Sequence, residues 1–166
     1  VSEDRKRYGL VLGMDITKNT TLIALNKVMK FNMINQALEV KHTQEITNKM
    51  KLKAPNLDVE VGKLSGGNQQ KVVLSKWIMN NPKILILDEP TRGIDVGAKY
   101  EIYKIMNELV EQGVGIVLIS SELPEVLGMS DRILVMSEGR ITGEFSREEA
   151  TQEKIMMCAT GGEKSV

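Results

Sequence analysis

The chain has 166 residues, 42% of them hydrophobic, enough for one substantial core and too few for two full domains. Lys and Arg total 22 and Asp and Glu total 22, so no net charge draws the chain to nucleic acid or to an anionic membrane. The lone cysteine, Cys158, excludes a disulfide framework and a secreted scaffold, and no apolar stretch approaches the roughly 18 residues of a membrane span. The chain opens on Val1 rather than Met and runs directly into Glu3-Asp4-Arg5-Lys6-Arg7, so it is expected to be a piece that lost a front portion. The charge run itself reads as a solvated segment.

Residues 16–52 hold no Gly or Pro and repeat apolar side chains at helical spacing (Ile34, Leu38, Ile46, Met50), which predicts two helices with a short break near Phe31-Asn32. Pro55, Gly62, Gly66 and Gly67 mark a long loop over 53–67, feeding a helix over 68–80 in which Trp77 is expected to anchor the packing. Ile84 to Leu87 is an apolar run without alternation and predicts a strand of a parallel sheet covered on both faces. The stripe Ala98, Ile102, Ile105, Met106, Leu109 predicts a helix ended by Gly113, and Ile116 to Ile119 a second strand, giving a βαβ unit. Ile133 to Met136 and Ile141 to Phe145, joined through Glu138-Gly139, predict a hairpin. Ser146 and Glu149 form a capping box that is expected to open a last helix through about Cys158, itself an inert buried thiol. His42, the only histidine, sits four residues from both Leu38 and Ile46 and reads as packing or partner-facing, since one histidine makes no metal site.

Two constellations carry chemistry. In Ser65-Gly66-Gly67-Asn68 two residues without side chains leave backbone N–H groups open at a helix start, where a phosphate would meet the Ser65 hydroxyl and the positive end of the helix dipole. The plain alternative is a flexible turn with a Ser cap. The second is Asp88-Glu89, at the carboxyl end of the apolar strand, where open α/β sheets place ligands. Asp88 suits Mg²⁺, directly or through water, and Glu89 could orient or deprotonate an attacking water; a solvated acid pair is the alternative.

Anion seat, helix, apolar strand and carboxylate pair, in that order within about 25 residues, resemble the signature motif and Walker B of ATP-binding cassette (ABC) ATPases. Gly93-Ile94-Asp95 resembles the D-loop, Ser120-Ser121-Glu122 takes the place of the switch-histidine loop, and Glu3 that of the Q-loop glutamine. Together with Glu3 to Arg7, Arg92 to Lys99 and Ser120 to Gly128, these segments are similar to the second ATPase half of monosaccharide importers of the xylose, ribose and galactose type, with xylose the nearest.

The resemblance implies an α/β, P-loop NTPase-like domain that is partial: a helical signalling subdomain with the signature motif over 1–80, then the back part of a mainly parallel sheet over 81–166. It implies ATP and Mg²⁺ as cofactors, a Mg²⁺ role for Asp88, a catalytic role for Glu89, and nucleotide contacts from Ser65, Gly66, Gly67, Asn68, Glu3, Asp95 and Ser121. It implies, as partners, a first ATPase half on the same polypeptide, transmembrane permease subunits and, indirectly, an extracellular sugar-binding protein, with no nucleic acid and a peripheral place on the cytoplasmic membrane face. Departures matter too. These residues contain no G-x-x-x-x-G-K-[ST] loop, so the chain alone is expected to bind ATP poorly. Ser121 and Glu3 replace the usual histidine and glutamine, which weakens the site on this half's own face and leaves Ser65-Gly66-Gly67 to complete the competent site of the first half. A remnant that only supplies the signature motif and subunit contacts, or a cassette ATPase outside transport, are the competing expectations.

Overall fold

Asp15 sets the first helix of the computed structural model, which describes residues 1–161. Its carboxylate accepts the Lys18 N–H at 2.7 Å and caps α1 (Ile16–Thr21). After α2 (Leu25–Val28) the chain reverses through an antiparallel hairpin, β1 (Met29–Lys30) and β2 (Met33–Ile34). Two helices with a simple break were expected here, and the break is a folded element. Phe31 and Asn32 adopt left-handed backbone, φ 53° and 59°, the conformation a two-residue hairpin turn requires. α3 (Gln36–Lys49), capped by the Asn35 side chain, supplies the second expected helix.

The first core gathers Leu10, Ile16, Val61, Val72 and Val73. α4 (Gly66–Ile78) runs through it buried over most of its circumference, with Val72, Val73 and Leu74 wholly shielded. Trp77 is not its anchor: it is 41% exposed, on the strip of α4 left uncovered. The helix gives way to Asn81, left-handed at φ 51°, just before Pro82, which cannot continue it.

β3 (Ile84–Asp88) and β4 (Gly115–Ile119), joined by α5 (Val96–Glu111), form the expected parallel pair, with Leu87 in register with Leu118 and Asp88 with Ile119. On the far side of β3 the Val1 nitrogen donates to the Ile86 carbonyl at 2.7 Å and the Asp88 N–H donates to the Val1 carbonyl at 3.1 Å. That is the parallel ladder pattern about Leu87. Within the described residues the strand is covered on one face. Leu85 and Leu87 are buried, whereas Ile84 is 66% and Ile86 53% exposed, as are Val117 and Ile119 at 49%. Register places Ile86, Asp88, Val117 and Ile119 on this same open face.

By compactness the chain divides into two units, Val1–Ile119 and the residues from Ser120 on. The reason is visible in the first unit, where α4 packs on α5 and the opening residues pair with β3. The second unit holds α6 (Leu123–Met129), β5 (Arg132–Ser137), β6 (Arg140–Ser146) and α7 (Gln152–Ala159). β5 and β6 form the expected hairpin, turning at Glu138 and Gly139 with φ 48° and 78°. Its core is Ile133, Val135, Ile155 and the buried Cys158. Only half of the expected capping box forms, Glu149 Oε2 accepting from the Ser146 N–H at 3.2 Å and from its hydroxyl at 3.0 Å, and no long helix starts there; α7 begins at Gln152 under a second cap, Thr151. No described helix is long and apolar enough to cross a membrane.

Candidate functional site

Ser65 takes extended backbone, and its Oγ accepts from the Asn68 N–H at 3.4 Å and from Asn68 Nδ2 at 3.0 Å. The Asn68 side chain is fixed from the other side, its Oδ1 accepting the Lys53 N–H at 3.0 Å. Gly66 and Gly67 fill the first turn of α4, where helix geometry gives N–H groups no intrahelical carbonyl. Both glycines also answer to packing. A Cβ on Gly67 would lie 2.5 Å from the Ala98 Cβ of α5, and one on Gly66 would lie 2.8 Å from Arg5 Nη2. Asp95 caps α5, its Oδ1 accepting the Ala98 N–H at 2.9 Å. Ser65, Gly67, Asn68, Asp95 and Glu101 thus line one cleft of about 270 Å³.

Under this cleft lies Lys71, only 1% exposed. Its ammonium donates to the Lys51 carbonyl at 2.8 Å and to Glu101 Oε2 at 2.6 Å, while Lys53 stands 3.3 Å from Glu101 Oε1. The Lys71 hydrogen bond, chiefly, pulls the Glu101 carboxyl below the usual glutamate range. A buried ammonium so partnered ties α4 to α5.

The carboxylate pair stands at the end of β3. Asp88 lies on the open face, and Glu89 follows with left-handed backbone, φ 45°, its N–H donating to the Ile119 carbonyl at 2.9 Å. A non-glycine residue held in that region stores strain, a feature that concentrates at functional sites. Glu3 forms an ion pair with Arg92, which draws the Q-loop position beside the segment that follows the acid pair. Ser121 belongs to the second unit, in the turn before α6, where Ser120 Oγ accepts the Glu122 N–H at 3.0 Å. The first unit therefore brings Ser65, Gly67, Asn68 and Asp95 together at one cleft, leaves Gly66 facing Arg5 and Gly93, and sets Asp88, Glu89 and Glu3 around the end of β3.

Asp88 offers one hard oxygen donor, and among the described residues no group of three or more His, Cys, Asp or Glu is poised to hold a metal. That donor set fits Mg²⁺, which keeps water and phosphate oxygens as most of its ligands. Sequence reasoning missed Arg5. Within the supposedly solvated charge run it is half-buried and donates to the carbonyls of Arg92, at 2.8 Å, and Gly93, at 3.3 Å. No periodicity signals it; the spacing of these partners in sequence hides the contact.

Residues 4–92 match the ABC transporter family. The chain is 80% identical to the xylose import ATP-binding protein XylG of Geobacillus kaustophilus over 98% of this chain and 32% of that protein. It is 60% identical to the L-arabinose transport ATP-binding protein AraG of Geobacillus stearothermophilus over 96% of this chain and 31% of the relative. The ribose import ATP-binding protein RbsA of Streptococcus agalactiae serotype Ia is 56% identical over 98% of this chain and 33% of its own length. The chain spans about a third of the length of these curated relatives. Among solved structures, the ADP conformation of an ATP-binding cassette of an ABC transporter superposes with a TM-score of 0.73 at 25% identity, over 98% of this chain and 68% of that one.

Proposed function

The chain belongs to the ABC transporter family, and from that premise we propose that it is part of the ATP-binding subunit of an importer coupling ATP hydrolysis to uptake of a monosaccharide, xylose first and ribose next. The observation that carries this reading is the 80% identity to a xylose import ATP-binding protein over nearly the whole chain. The partners are a first ATPase half of the same polypeptide, transmembrane permease subunits and, through them, a sugar-binding protein. The subunit sits peripherally on the cytoplasmic membrane face and takes no nucleic acid.

Ser65, Gly66 and Gly67 close over the terminal phosphate of a nucleotide held by the first half, with Asn68 and Asp95 at the rim. The Ser65 hydroxyl donates toward phosphate oxygen while the first-turn amides and the helix dipole favour its negative charge. Asp88 would hold Mg²⁺, which would supply positive charge against the phosphate oxygens. Glu89 accepts a proton from the attacking water, and Glu3 and Ser121 flank nucleotide on this half's own face. In this division of labour the segment over 1–80 signals and the segment over 81–166 carries the acid pair.

The test is Ser65→Asp in the complete ATP-binding subunit. Aspartate caps a helix as well as serine does, so α4 is retained, but its charge opposes phosphate. We expect ATP turnover to fall at least about tenfold with an unchanged unfolding midpoint, by the charge-repulsion argument. Full turnover in this variant removes the signature role.

A further inference from the structure

We propose that Arg5 is a positioning residue that latches the Gly93-Ile94-Asp95 turn to the first turn of α4, so that the Ser65 seat and its Asp95 rim keep one fixed spacing. The proposal rests on the signature role just given and adds to it a residue with no contact to nucleotide.

The latch is built from three donors on one side chain. Arg5 Nη1 donates to the Arg92 carbonyl at 2.8 Å, Nη2 to the Gly93 carbonyl at 3.3 Å, and Nε to Gln69 Oε1 at 3.4 Å. Gln69 is itself buried in α4, where its Nε2 donates to the Val61 carbonyl at 3.2 Å. The guanidinium therefore bridges a helix and a turn that lie 64 and 88 residues away from it in sequence. Consecutive carbonyls face the same fork because Gly93 takes φ 67° and bends the chain there. Burial pulls the Arg5 pKa down, yet arginine stays charged at any working pH, so the latch is permanent rather than a titrating switch.

Two neighbours support the assignment. The Glu3 to Arg92 ion pair fastens the same two segments a second time, two residues upstream. Gly66 is shaped around the guanidinium: a Cβ there would come within 2.8 Å of Arg5 Nη2, and within 3.3 Å of both the Gly93 carbonyl oxygen and Ile94 Cγ2. One glycine of the anion seat is thus required by the latch as well as by any ligand. Lysine cannot replace arginine here, because a single ammonium lacks the planar fork that serves adjacent acceptors and a third group together.

The experiment measures kcat and KM for ATP in the complete ATP-binding subunit assembled with its permease. Arg5→Ala should lower kcat about tenfold or more, as expected when an aligned group is misplaced by a fraction of an ångström to an ångström. KM should change less than about twofold, since binding that precedes alignment is untouched. Arg5→Lys should fail to restore kcat. Gly66→Ala should cost less in the Arg5→Ala background than alone, because the guanidinium it would strike is gone. A wild-type kcat in Arg5→Ala, full restoration by Arg5→Lys, or strict additivity with Gly66→Ala each overturns the latch. Should Arg5→Ala fail to fold, Arg5→Lys decides in its place: a lowered kcat supports the latch and a wild-type kcat overturns it. If Ser65→Asp abolishes turnover while Arg5→Ala is fully active, the latch alone falls; if Ser65→Asp is fully active, the signature reading falls.

Discussion

α4 and β3 are adjacent in the chain, and each carries a reactive loop at one end, yet they are supported very differently. α4 is enclosed on most sides, and its opening turn is fixed by Ser65, Asn68, Arg5 and the close approach of Ala98. β3 is buried through Leu85 and Leu87 only, and Asp88 shares its other face with exposed Ile86, Val117 and Ile119. The contrast teaches that, among the described residues, the turn opening α4 is held by side chains on all sides while the end of β3 is packed on one face. A loop that closes on a ligand held elsewhere needs rigidity of its own, whereas a carboxylate pair needs the surroundings that exclude water from it.

The sharpest way to break this contrast is to remove one side chain from each element. Leu74→Ala, inside α4, should cost about 2–5 kcal/mol in urea unfolding, whereas Ile86→Ala on the open face should cost less than about 1 kcal/mol. Equal losses would show that the sheet is as well covered as the helix. Next in size is Gly67→Ala, expected to cost about 1–3 kcal/mol through the clash with Ala98, with Ala98→Gly recovering most of it. No recovery would mean that Gly67 is held to its identity by something other than α5.

The smallest effect sharpens the account of α4's base. Glu101→Gln should change stability by less than about 1 kcal/mol, because Glu101 is more than a third exposed. Its sign depends on pH. The folded carboxyl titrates below its ordinary value of 4.5, so the ionised form is the one the fold favours. The advantage of glutamate over glutamine is then complete above 4.5 and disappears as pH falls through the folded value. An advantage that grew on acidification would place the Lys71 contact in the wrong charge state.

Much of this was legible because it is local. The Ser65 cap spans three residues, the α5 stripe repeats every three or four, and the β3 to β4 unit follows from two apolar runs flanking it. Where the reading failed, a local signal was silent or ambiguous. The turn at Phe31-Asn32 has neither Gly nor Pro, and Asn32, which tolerates left-handed backbone, marks a break without specifying a hairpin. Trp77 has the composition of an anchor but falls on the uncovered strip of α4. Ser146 donates both its N–H and its hydroxyl to Glu149 Oε2, half of a capping box, which does not propagate a helix, and Thr151 starts it instead. Gly66 and Gly67 were legible as bare backbone for a phosphate. That they also make room for Arg5 and Ala98 depends on contacts distant in sequence.

The backbone at Glu89 sets durability against chemistry. At φ 45° glycine would be less strained than any residue with a β-carbon, so the carboxylate is retained at a conformational cost on the order of 1 kcal/mol. Selection for heat resistance alone should therefore enrich Gly or Asn at position 89, and the survivors would be hardier proteins without the carboxylate proposed to accept a proton.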